Sequence, residues 1–183
     1  IALENAKLFE DVLNMKNYNE NMLESMSNGV ISLDAAKLMV KCNTAALRIL
    51  HENPDTIIGS SAAEFFSAKN SWVLASIEKV MSTETVDLTV DTDLMLTNGN
   101  RVSINLTTVP LINVQKECIG SLLVLEDITK EKRLKGTMTR YMAKEVVDKL
   151  LEHGEAMLGG MTHEATIMFS DIRGFTTLSE KSS

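Results

Sequence analysis

From Val86 to Leu106 apolar and polar residues alternate so regularly that the segment reads as two β-strands. Val86, Leu88, Val90, Leu94 and Leu96 are interleaved with Asp87, Thr89, Asp91 and Asp93, and Val102, Ile104 and Leu106 with Arg101, Ser103 and Asn105. A period of two sends one set of side chains to each face of a pleated strand, so both strands are expected to be half-buried. Asn98, Gly99 and Asn100 lie between them. A two-residue Asn-Gly turn would set Leu96 against Arg101 and put the apolar rows on opposite faces. A three-residue loop sets Leu96 against Val102 and Leu94 against Ile104, and is the expected hairpin.

Other strands flank this pair. Ile119 to Leu125 is apolar at nearly every position, as a central strand covered on both faces should be. Gly29 to Leu33 and Leu38 to Cys42 read as two short strands separated by Asp34, Ala35 and Ala36, followed by a helical stretch from Asn43 to Leu50. Pro54 and Gly59 punctuate short segments, after which Ser71 to Met81 places Val73, Leu74, Ile77 and Met81 on one helical face. The order is ββ, short helices, βββ, an α+β arrangement.

Helices bracket this module. Ile1, Leu8, Met15 and Met22 recur every seven residues, and Asn5, Val12, Asn19 and Met26 supply the second seam of a heptad. That pattern suits a parallel coiled coil whose seam asparagines set register at a cost in stability, or an amphipathic helix packed on its own domain. At the other end, Asp127 and Thr129 can each cap a helix running from Lys130 to His153, with Gly154 as a stop. Leu134, Met138, Tyr141, Val146 and Leu150 would form its apolar face, and Gly136 is a candidate hinge or a break between two helices.

Composition narrows the partners. Lys plus Arg number 18 against 25 Asp plus Glu, giving a formal charge of −7, and aromatics make up 4% of the chain. With no basic run, neither nucleic acid nor an anionic membrane is an expected partner. No apolar stretch nears the roughly 20 residues a membrane helix needs, and Cys42 and Cys118 lack CxxC spacing, which points to a reducing, cytoplasmic setting.

Three features of the central hundred residues resemble a PAS domain: SNGVISLD in the first strand, KCNTAALRIL entering the first helix, and Asp127-Ile128-Thr129 closing the last strand. The resemblance implies a five-stranded antiparallel sheet cupped against short helices, with flanking signalling helices and an interior that holds a small molecule or is filled by side chains. The cysteine-containing sequence of flavin-binding members is absent, since Cys42 is followed by NTAALRIL. His51 is the one histidine in the module that could serve haem as an axial ligand; at a helix end it equally suits a solvent-exposed place favoured by the helix dipole. Trp72 could line a pocket or simply pack. IALENAKLFE resembles the last helix of an upstream GAF domain.

The end of the chain carries the most specific string. Ala165 to Phe169 is a short β-favouring run, followed by Ser170, Asp171, Ile172, Arg173 and Gly174 and a helical start at Phe175. A carboxylate at a strand tip, a Gly turn and a helix start can bring a divalent cation and phosphate together. GGMTHEATIMFSDIRGFTTLSE resembles the opening of a class III adenylate cyclase catalytic domain, and YMAKEVVDKLL the helix before it.

That likeness makes Asp171 one of two metal-binding aspartates and gives Ile172 a backbone-carbonyl ligand. Mg²⁺ or Mn²⁺ is the implied cofactor, and two such ions would assist attack of the ATP ribose 3′-hydroxyl on the α-phosphate. The remaining catalytic groups of the family would lie beyond Ser183, so the chain alone is expected to make no cAMP.

The resulting division is 1–26 N-terminal coiled-coil helix, 27–129 PAS-like domain, 130–154 output helix, and 155–183 the start of a cyclase domain, in a homodimer. A rival reading takes His163-Glu164 as the phospho-acceptor box of a histidine kinase, but ATIMFSD follows where such a helix would continue with Leu-Arg-Thr-Pro. A ligand-binding or dimerisation module without a linked cyclase is the non-enzyme alternative.

Overall fold

The computed structural model describes residues 2–66, 68–153 and 166–169. The chain divides between Thr137 and Met138 into two compact units, and the sheet belongs to the first. Helix α1 (Ala2–Ser25) leads into β1 (Gly29–Asp34) and β2 (Met39–Cys42); then come α2 (Thr44–Leu50), α3 (Pro54–Ile57), α4 (Ala62–Phe65) and α5 (Ser71–Thr83). Strands β3 (Asp87–Met95), β4 (Arg101–Ile112) and β5 (Cys118–Asp127) follow, with α6 (Thr129–Tyr141) and α7 (Lys144–His153) after them. The five strands form one antiparallel sheet in the order β2-β1-β5-β4-β3. The near-continuously apolar run is thus the central strand, as expected.

One face of the sheet supplies Ile31, Leu33, Leu94, Ile104, Leu106, Leu123 and Leu125 to a core closed by Ile49 and Leu50 of α2, Ile57 of α3, Phe66, and Val73 and Ile77 of α5. Removing that apolar surface from water is the main force holding the short helices on the sheet. Helix α5 buries Val73, Ser76, Ile77 and Val80, so its inward stripe matches the expected one at Val73 and Ile77, while Leu74 and Met81 flank it, partly buried.

The hairpin departs from expectation in register. Its loop has three residues, Thr97 to Gly99, closed by Leu96 N donating to Asn100 O at 2.9 Å, with Gly99 at φ 82. Leu94 therefore faces Val102, and Thr92, not Leu94, faces Ile104. The expected single apolar row along β3 is also broken. A β-bulge between Thr89 and Thr92 inserts one residue, reversing the faces: Leu94 is 1% exposed, whereas Leu88 and Val90 are 62% and 60% exposed. A single inserted residue is enough because the side-chain period is two.

The expected helix from Lys130 to His153 is two helices, and the break lies at Met142 and Ala143, not at Gly136. A lone glycine inside a helix costs about 1 kcal/mol relative to alanine, less than orphaning the backbone groups of two new helix ends. Leu134 and Tyr141 are exposed, so the expected continuous apolar face does not form. The β-favouring run near 165–169 is unpaired over Thr166–Phe169, with Ile167, Met168 and Phe169 exposed. A strand is stabilised by its ladder, and these residues join none of the described strands. Asp171, Ile172 and His163 lie outside the described residues.

Candidate functional site

The site is built where the chain enters and leaves the sheet. Strands β1 and β5 are antiparallel neighbours with Gly29 opposite Leu125, so the C-terminal end of α1 and the N-terminal end of α6 reach the same end of the sheet. A cleft of about 620 Å³ lies there, lined by Ser27, Asn28, Arg48, His51, Glu126 and Lys130 among others.

Asn43 organises the incoming side. Its carboxamide is 2% exposed and makes four hydrogen bonds. The oxygen Oδ1 accepts from Val30 N at 2.8 Å and Ala46 N at 2.9 Å. The nitrogen Nδ2 donates to Leu23 O at 2.9 Å and Asn28 O at 3.0 Å. One side chain thereby caps α2, starts β1 and holds the last turn of α1. Glu24 accepts from Thr44 N at 2.9 Å, and the Thr44 hydroxyl and then this amide lower its pKa; Glu20 pairs with Lys41 at 3.0 Å, which lowers the Glu20 pKa. Gly29 is required by close approach: a Cβ there would lie 2.9 Å from Ala46 Cα.

The outgoing side uses both residues named as candidate caps, in different roles. Asp127 Oδ1 accepts from Thr129 N at 2.9 Å and caps α6. Thr129 Oγ1 instead accepts from Ser103 N of β4 at 3.0 Å, and Ile128 N donates to Ser103 O at 2.9 Å. The first turn of α6 is thus pinned to β4 as well as continuous with β5.

The crevice between Leu50, Phe65, Phe66, Asn70, Leu94 and Leu96 has a volume of about 10 Å³, at the lower limit of what one water needs. Deeper along β4, Ser76 Oγ lies 2.7 Å from Asp87 Oδ2 and 2.8 Å from Thr108 Oγ1, while Lys79 Nζ is 2.5 Å from Asp87 Oδ1. Bonds from Lys79 and Ser76 hold the Asp87 carboxyl below its usual range. Trp72 packs against the core with Nε1 buried and unpartnered. His51 is exposed and ends α2 in the left-handed conformation, φ 57.

The outer face of the sheet is only partly covered. Val30, Val124, Thr107 and Leu88 form a row across it, beside an apolar groove of about 550 Å³ between that row and Leu23 and Met26. Along α1, Leu8, Val12, Met15 and Met22 are 64%, 60%, 67% and 44% exposed, so the heptad seam is not packed on its own domain. That removes the amphipathic-helix alternative for these residues.

The PAS fold family matches residues 17–128, more than half of the chain. The chain belongs to the PAS family. No curated protein matches it. Among solved structures it is similar to a PAS domain of a protein from Colwellia psychrerythraea, at 12% identity over 63% of this chain and 98% of that one, TM-score 0.55. It is also similar to an RNA-binding light-oxygen-voltage receptor, at 10% identity over 78% and 40%, TM-score 0.57. A third is the Vibrio cholerae VqmA dimer, at 16% over 61% and 52%, TM-score 0.53. At these identities the likeness concerns the fold.

Within this PAS domain, sequence reasoning found Asp127 and Thr129 but not the Asn43 junction. An asparagine immediately before a helical run is a signal for a cap; its other three bonds have no signature in the sequence. Among the described residues no group of three or more His, Cys, Asp or Glu side chains could hold a metal ion, and no helix is long and apolar enough to cross a membrane.

Proposed function

We propose that this PAS module is the pairing and relay part of an adenylate cyclase, receiving a signal through α1 or its own interior and passing it through α6. The observation that carries the relay is the meeting of both helices at one end of the sheet, on neighbouring strands. A shift of β1 against β5 changes the angle between α1 and α6, because three residues join α1 to β1 and Ile128 alone joins β5 to α6.

The exposed seam of α1 supports a parallel homodimer, in which Leu8, Val12, Met15 and Met22 bury one another and Asn19 sets register. The VqmA structure is a dimer. Sedimentation at micromolar concentration should give a dimer, and Val12→Glu with Met15→Glu should weaken association at least tenfold; a monomeric wild-type chain would sink the proposal.

The enzymatic part rests on the likeness of FSDIRGFTTLSE to a class III cyclase opening. On that reading Asp171 and the Ile172 carbonyl would hold Mg²⁺ or Mn²⁺, which would offset the charge of the ATP phosphates. In the longer protein carrying this chain, Asp171→Asn should lower cAMP formation from ATP by at least about a hundredfold, as expected when a metal ligand is lost. Unchanged turnover would refute the assignment.

A further inference from the structure

Helix α6 has an attachment beyond its pins to β4. Lys132, one turn in, reaches past β4 to the edge strand β3, where its Nζ lies 2.8 Å from Asp91 Oδ1 and 3.4 Å from Asp93 Oδ1. Asp91 sits in the β-bulge at φ 51, a left-handed conformation that a non-glycine residue adopts at a cost. Its amide is not wasted: it donates to Asn105 Oδ1 at 2.9 Å, and Asn105 Nδ2 donates to Glu126 Oε2 at 2.8 Å. A line of side-chain bonds therefore runs from the bulge across β4 to the end of β5.

Asp93 closes a second line. It accepts from Ser103 Oγ at 2.6 Å and faces Arg101 at 3.4 Å, and Ser103 is the residue whose backbone pins Ile128 and Thr129. The Asp93 pKa is lowered, first by Ser103 and then by Lys132, and the Lys132 pKa is raised, first by Asp91. Strained backbone retained where it delivers a carboxylate to a helix is a feature expected of a working part.

We propose that the β3 bulge and Lys132 form an electrostatic latch that holds the exit helix against the sheet. Straightening the bulge withdraws Asp91 and loosens the helix beyond its first turn, which stays pinned to Ser103. Edge strand β3 thereby controls α6 although β4 and β5 lie between the two in sequence and β4 lies between β3 and β5 in the sheet. Its meaning as regulation rests on α6 being the output helix. The attachment itself is read without cAMP, so failure of the latch and failure of the cyclase assignment are distinguishable.

The test is amide hydrogen exchange on the 183-residue chain carrying Lys132→Gln, Lys132→Arg or Asp91→Gly. Glycine suits the left-handed bulge position, so Asp91→Gly removes the carboxylate while sparing the backbone. In both Lys132→Gln and Asp91→Gly, exchange at Arg133 to Thr137 should rise about two- to fivefold while β1 and β5 amides stay near wild type. Lys132→Arg should stay near wild type, and 1 M salt should bring wild type toward Lys132→Gln because exposed pairs are screened. Unchanged exchange in Lys132→Gln, or a rise spread equally over β1 and β5, overturns the latch. A rise in Lys132→Gln with none in Asp91→Gly overturns the role of the bulge.

Discussion

The two junctions at one end of the sheet are held by opposite kinds of chemistry. The incoming junction is a buried, neutral carboxamide with every donor and acceptor used, and it ties three elements at one point. The outgoing junction is spread over the surface: one carboxylate cap, a Thr–Ser pin and a set of exposed ion pairs. Buried satisfied polar groups are expensive to break, whereas exposed charges exchange readily with water and salt. The contrast suggests a rigid input that moves with the sheet and an output that can let go.

The largest expected effect comes from breaking the incoming side. Asn43→Ala removes a helix cap and strands buried Val30 N and its neighbours, and should cost about 3 kcal/mol in urea unfolding. Asn43→Asp keeps both acceptor bonds but sets a buried carboxylate oxygen against the Leu23 and Asn28 carbonyls, and should cost at least as much. A loss below about 1 kcal/mol for Asn43→Ala would erase the contrast.

An intermediate effect is expected on the outgoing side. Asp127→Ala should cost about 1 kcal/mol, the usual value of a lost cap, and the loss should appear as faster amide exchange in the first turns of α6. Global unfolding of the sheet at the same denaturant concentration as Asn43→Ala would show that the two junctions are equally structural.

The smallest effect is the pH dependence. Asp93 and Glu24 have folded-state pKa values below their ordinary ones, so each contributes stability that is present above the ordinary carboxylate range and is lost as pH falls through the lowered folded value. Asp93→Asn should flatten the acid limb of the stability curve slightly and loosen α6 at neutral pH. Acid also removes the Glu20 and Glu24 contacts of α1, but Asn43 does not titrate and keeps its bond to Leu23 O, so α6 should gain exchange in acid before the Asn43-held last turn of α1 does. Earlier release of α1 would reverse the proposed order.

Much of the fold was legible because periodicity reports burial directly. The central position of Ile119 to Leu125, the strands around Gly29 and Leu38, the helix beginning after Asn43 and the three-residue hairpin loop all follow from local patterns. The failures have a common cause. Leu88 and Leu94 look alike in an alternating strand, and nothing local announces the extra residue between Thr89 and Thr92 that sends them to opposite faces. Likewise Gly136 reads as a hinge, yet the helix break falls at Met142 and Ala143.

The candidate site divides in the same way. Asp127 and Thr129 could be named because caps act over two or three residues. Asn43 holding Leu23 O, or Lys132 meeting Asp91, joins residues 20 and 41 positions apart.

By itself the sequence determined the α+β order of elements, the heptad seam of α1, the capped start of α6 and the likeness of FSDIRGFTTLSE to a cyclase opening. Each depends on residues a few positions apart, where geometry is set by backbone period. Only the tertiary structure decided that α1 and α6 share one end of the sheet, that the bulge turns Leu88 outward, and that Lys132 reaches β3. Those facts depend on strand register and on which strands become neighbours, and both are settled by the burial of the whole core rather than by any one segment.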